Sequence, residues 1–150
     1  MSTRAQVSRL VPLLLALVVQ GCCRHPAAPE EGEVLLRVES AAIALDRGGG
    51  AYVVPWVVEN RGSATASVPR CGSAALFAVE RWENGAWVSA RAAVCITSLE
   101  MAPLPVAPGD ALRGEEKITG AGRYRLRVVV ETEGGREAPR LVTSQAFTLP

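Results

Sequence analysis

Gly122-Arg123-Tyr124-Arg125-Leu126-Arg127-Val128-Val129-Val130-Glu131 alternates apolar and charged side chains over most of its length. Successive residues of a strand point to opposite faces, so Tyr124, Leu126, Val128 and Val130 fall on one side and Arg123, Arg125 and Arg127 on the other. A helix would scatter the same residues around its circumference. A half-buried strand is therefore predicted. Tyr52, Val54, Trp56 and Val58 repeat the pattern, with Pro55 on the opposite face. Proline cannot donate to a strand ladder, so an edge position or a bulge is expected there.

Working outward, the same period of two marks Glu33 to Glu39, Ala64 to Val68, Ala74 to Glu83, Ala86 to Ala92, Ala111 to Ile118 and Leu141 to Leu149. Turn-forming clusters separate most of these segments: Gly48 to Gly50, Asn60 to Ser63, Asn84-Gly85, Pro108 to Asp110, Gly120 to Gly122 and Gly134-Gly135. No window of a dozen residues carries a helical stripe. Seven or eight strands over residues 33–150 predict an all-β, two-sheet sandwich. The composition agrees, since 49% hydrophobic against 21% charged residues excludes a disordered tail. With 16 basic residues against 15 acidic ones, a nucleic-acid-binding protein is not expected.

Gly122 to Leu126 resembles the tyrosine-corner strand of immunoglobulin-like domains, with Leu126 where antibody domains place a cysteine. The layout of Val58 to Arg61, the Asn84-Gly85 hairpin, Pro108 to Asp110 and Gly122 with Tyr124 resembles bacterial lipoproteins that carry an immunoglobulin-like domain. It is also similar to the bacterial intracellular proteinase inhibitor domain. These elements are turns and core residues, which specify fold better than function. The second resemblance implies an inhibitor acting through exposed loops such as Leu99 to Pro108.

At the other end of the chain, Arg4 and Arg9 precede an unbroken apolar run from Leu10 to Val19, the pattern of an export signal. Ten residues are too few to span a bilayer as a permanent helix. Val19-Gln20-Gly21-Cys22 resembles a bacterial lipoprotein processing site, with Gln20 as its departure from the usual small or β-branched residue. The resemblance implies a signal peptide over residues 1–21 and acylation of Cys22, which anchors the chain to a membrane. Cys23 in place of Asp implies the outer membrane. Residues 22–32, rich in Pro and Glu and holding the single histidine, His25, read as a tether. Residues 33–150 form the sandwich.

With Cys22 lipidated and the chain exported, Cys71 and Cys95 are expected to pair as a disulfide, and Cys23 is left spare. Such a bridge closes a loop of about 25 residues and contributes roughly 3.5 kcal/mol in the chain-entropy model. Counting out from the Asn84-Gly85 turn, Cys71 faces Ser98, so a bulge or a departing strand must supply a three-residue offset. Metal ligation by the two cysteines would lack a third ligand nearby. A Ser-His-Asp triad would have to use His25, in the tether. Glu80, Glu83, Glu100, Glu115 and Glu116 are available as carboxylate pairs, but acids on strand surfaces are usually solvated. No phosphate loop, dinucleotide fingerprint or zinc-ligand spacing occurs. No enzymatic activity, cofactor or metal is expected.

Two surface features remain as candidate binding residues. Arg123, Arg125 and Arg127 line one outer face, where they either grip phosphate or carboxylate groups of lipid head groups or cell-wall polymer or are balanced by neighbouring-strand acids such as Glu115. Trp82 and Trp87 flank the Asn84-Gly85 turn as a non-hydrogen-bonded cross-strand pair. They share a face with Glu80, Ser89 and Arg91, while Phe77, Val79, Val88 and Ala90 are expected to face the core. The indoles then lie outside, pinning the hairpin or binding a sugar or an envelope protein. The sequence does not specify an oligomeric state.

Overall fold

Both alternating stretches become long central strands. The computed structural model describes residues 34–95, 102–133 and 138–150. The first half contains β1 (Val34–Val38), β2 (Ala44–Leu45), β3 (Tyr52–Asn60), β4 (Ala66–Val68), β5 (Arg70–Cys71), β6 (Ala74–Ala75) and β7 (Ala78–Glu83). The second contains β8 (Ala86–Arg91), β9 (Leu104–Val106), β10 (Ala111–Ile118), β11 (Gly122–Thr132), β12 (Arg140–Thr143) and β13 (Phe147–Leu149). A single 3-10 turn among the described residues, Ser40–Ala42, interrupts them. Among the described residues no helix is long and apolar enough to cross a membrane.

The strands form an open all-β sandwich of antiparallel sheets. In one sheet β3 lies between β1 and β10, with β2 also paired to β3. In the other, β11 is the hub: β7 and β8 extend from it, β12 and β13 pair with it, and its last residues meet β4, which carries β9. The inward sets predicted from alternation pack between the layers, with Val54, Trp56 and Val58 facing Tyr124, Leu126, Val128 and Val130 in one buried cluster. Trp56 packs against Phe77 with ring centroids 4.6 Å apart. The Trp56 indole also occupies the space beside Gly114, its cross-strand neighbour, where an added Cβ would stand 2.4 Å from Cζ2. Only the missing side chain at Gly114 lets that indole lie flat on β10.

The tyrosine corner is present. The Tyr124 hydroxyl donates to the carbonyl of Gly120 (3.2 Å), just upstream. A second polar anchor was not legible in the sequence. Asn60 is buried, and its Nδ2 donates to the carbonyls of Ala64 and Val106, each at 2.8 Å, while its Oδ1 accepts from the Gly62 N–H. One side chain thus ties the end of β3 to the loop after it and to β9, 46 residues away in the chain. At the opposite edge, the Gln145 amide donates to the Val38 carbonyl (2.6 Å) and accepts from the Val38 N–H (3.4 Å). That side chain serves as a one-residue strand against the free edge of β1.

Several expectations are corrected. Pro55 lies in the middle strand of its sheet, not at an edge or a bulge. Its carbonyl accepts from Glu39 N–H, so its nitrogen faces the same flank, where the 3-10 turn separates β1 from β2 and no ladder donor is required. The stretch Leu141 to Leu149 is two strands, because Ser144 breaks the ladder and bonds Leu126 through both its backbone N–H and its Oγ. Ala74 to Glu83 is likewise divided into β6 and β7. Val88 and Ala90 are exposed, since β8 is an edge strand that overhangs the core. Leu104–Val106, within the stretch read as an exposed inhibitory loop, is a strand on β4 with Val106 buried. Residues 99–101 of that stretch lie outside the described residues.

Candidate functional site

The outer face of the β11 sheet gathers most of the residues singled out as binding candidates. Register places Arg125 opposite Glu80 and Tyr124 opposite Arg81, so Arg123 stands beside Trp82. Trp82 in turn pairs with Trp87 across the hairpin. The turn that sets this register has positive φ at Asn84 (49°) and Gly85 (84°), as a two-residue type I′ hairpin requires. The indoles meet edge to face with centroids 5.2 Å apart. Trp82 is 39% exposed and Trp87 half-buried, so the pair lies on the outside of the sandwich.

The three arginines divide into two roles. Arg125 Nε donates to Glu80 Oε2 at 2.5 Å, and Arg127 pairs with the other oxygen of the same carboxylate. Arg125 also lies over the Trp87 ring, 4.4 Å from its centroid. The acid that balances this pair is therefore Glu80 on the adjacent strand, not Glu115, which belongs to the other sheet. Glu80 is 8% exposed. Burial alone would raise its pKa, but the hydrogen bonds and charges of Arg127 and Arg125 outweigh that and hold the carboxyl below its ordinary value.

Arg123 differs. It is exposed and sits 5.9 Å from the Trp82 centroid and 5.8 Å from that of Trp87. Among the described residues no carboxylate pairs with it. The chain matches no protein-family model, and no curated protein is significantly similar to it. The geometry itself is what can be read: an exposed guanidinium held against two indoles, with its polar edge free to donate to an anion.

The remaining candidates are placed elsewhere. Arg91 does not share the tryptophan face. A bulge between Val79 and Glu80 pairs Arg91 with Val79, and this one-residue slip turns its side chain toward β10, where it pairs with Glu116. Glu83 pairs with Arg81. Cys71 and Cys95 form the expected disulfide, with Cα atoms 5.4 Å apart. The offset that it needs comes from the departing strand: the short β5–β6 hairpin takes Cys71 out of the β7 ladder, while the bulge, an extra residue on β8, shifts the register the other way. Among the described residues no group of three or more His, Cys, Asp and Glu side chains is arranged to hold a metal ion. Cys22, Cys23, His25 and Glu100 lie outside the described residues.

Proposed function

We propose that this protein is a lipid-anchored cell-envelope module, anchored through Cys22, that binds acidic groups of an envelope polymer without catalysing a reaction. The observation that carries this reading is the state of Arg123. Arg125 and Arg127 are engaged by Glu80, whereas Arg123 is exposed and has no acidic partner among the described residues. The Trp82 and Trp87 rings beside it supply apolar surface on which a sugar ring can lie while the guanidinium takes its carboxylate or phosphate. The tether 22–32, at up to about 3.3 Å per residue, gives the domain roughly 36 Å of reach from the membrane.

The test is co-sedimentation of the purified full-length chain with isolated cell-wall sacculi. Arg123→Glu should abolish binding while circular dichroism and melting temperature stay at wild-type values, and Arg37→Glu on the opposite sheet should bind as before. Equal binding by wild type and Arg123→Glu would overturn the assignment of the site. Separately, Cys22→Ser should release the chain from the membrane fraction; unchanged retention would overturn the anchor.

A further inference from the structure

We infer that the free edge of β8 is a pairing site for a second copy of this chain, joined antiparallel about a two-fold axis through Val88. Among the described residues β8 pairs with β7 alone, and five of its six residues are exposed. The hydrogen-bonding direction along it follows from the hairpin. Glu83 and Ala86 close the two-residue turn as a hydrogen-bonded pair, so Arg81 and Val88 form the next one. Trp87 and Ser89 then direct their N–H and C=O groups away from β7, into the open edge.

The β1, β10 and β9 edges of the sandwich are protected and this one is not. Gln145 covers β1 at Val38. β10 carries Arg113, Glu115, Glu116 and Lys117, and β9 is three residues long with Pro105 at its centre. Such charges, prolines and short lengths are the usual guards against strand addition. Ala86 to Ala90 holds neither a charge nor a proline, and Arg91 at its end is already occupied by Glu116.

The edge also complements itself. With Val88 on the axis, Trp87 of one copy lies opposite Ser89 of the other, and each such pair exchanges two backbone hydrogen bonds, four in total. The bulky indole meets a small side chain, Val88 meets Val88, and Ala86 meets Ala90. No like charges oppose one another, as directly facing ones would destabilise the pair. The bulge beyond Ser89 ends the regular ladder and so limits slippage. In this arrangement both Trp82–Trp87–Arg123 clusters lie on the same face of one continuous sheet. The pairing does not depend on the function proposed above.

Cysteine trapping of the full chain carrying Cys23→Ser, in intact cells, tests it. Val88→Cys places the two thiols across the axis in a non-hydrogen-bonded pair, where Cα atoms approach to about 4.5 Å. Mild oxidation should give a covalent dimer for Val88→Cys, at least about tenfold more than for Ala86→Cys or for Leu45→Cys on a distant surface. Adding Ser89→Pro to Val88→Cys should abolish the dimer, because it removes an outward donor while leaving the β7 ladder intact. Absence of a Val88→Cys dimer, equal trapping at residue 86, or indifference to Ser89→Pro would each overturn the proposal.

Discussion

The two outer faces of the sandwich are both rich in charge, yet they are built differently. On the β3 sheet, ions pair around the rim: Arg113 with Glu39, Lys117 with Asp46, and Glu59 with both Arg37 and Arg61. Most of these side chains are well exposed, and exposed pairs typically contribute between zero and about 1 kcal/mol. On the β11 sheet the charges converge on one carboxylate, Glu80, which is 8% exposed and paired with two arginines, one of them stacked on the Trp87 indole. The first face spreads its charges over a buried Val57. The second fixes three strands in register and leaves one arginine over. What separates them is burial of the acid, not the number of charges.

The sharpest contrast lies beneath the plain face. Gly114→Ala should lower unfolding free energy by about 3 kcal/mol, since the new methyl meets Trp56 and overpacking of this kind typically costs 1–3 kcal/mol or more. Urea unfolding checks it, and a change under 1 kcal/mol would show that the indole shifts freely. Next, Glu80→Ala should destabilise by roughly 2 kcal/mol, because two partly buried guanidinium groups lose their counterion. Glu39→Ala, on the other face, should stay within about 0.5 kcal/mol by the same measurement.

Acid titration sharpens the same comparison. The Glu80 pKa is depressed in the folded state, so its stabilisation is complete above the unfolded glutamate pKa of about 4.3 and is lost as pH falls through the lower folded value. Melting temperature followed downward from pH 5 should therefore drop less steeply in Glu80→Gln than in wild type. The Glu59 carboxyl is depressed too, by its hydrogen bonds to Arg61 and Arg37, so some acid sensitivity will remain in that variant. Parallel curves for the two proteins would remove Glu80 as a contributor.

Smaller effects lie further out on the same face. Replacing Trp82 and Trp87 together by Ala should cost about 1 kcal/mol, the scale of a cross-strand aromatic pair. Arg123→Ala should change stability by less than about 0.5 kcal/mol, as expected for an exposed side chain without an ion pair. A larger loss for Arg123→Ala than for the tryptophan pair, measured by thermal unfolding, would invert the roles given to them here.

What could be read from the sequence was what adjacent residues encode. Alternation in Tyr52–Asn60 and Gly122–Thr132 identified both buried faces, and Asn84-Gly85 set the pairing of Trp82 with Trp87. The failures share a cause, dependence on a distant strand. Pro55 is tolerated because β1 and β2 happen to part opposite it. Val88 alternates like a core residue, but sheet order leaves nothing above it. Glu80 reads as a solvated acid until β11, about 45 residues later, delivers two arginines to its carboxylate. The slip that sends Arg91 to Glu116 is a matter of register, which no local pattern records.

The Gln145 clamp on Val38 bears on how the chain comes to be made. β1 is the first of the described strands to leave the ribosome, and the side chain that covers its edge follows 107 residues later. Until Gln145 has emerged, β1 offers open backbone groups at Val38 to any neighbouring strand. Arrival of Gln145, rather than collapse of the core, closes that window, and Gln145→Ala should keep the strands of the core while this edge stays open.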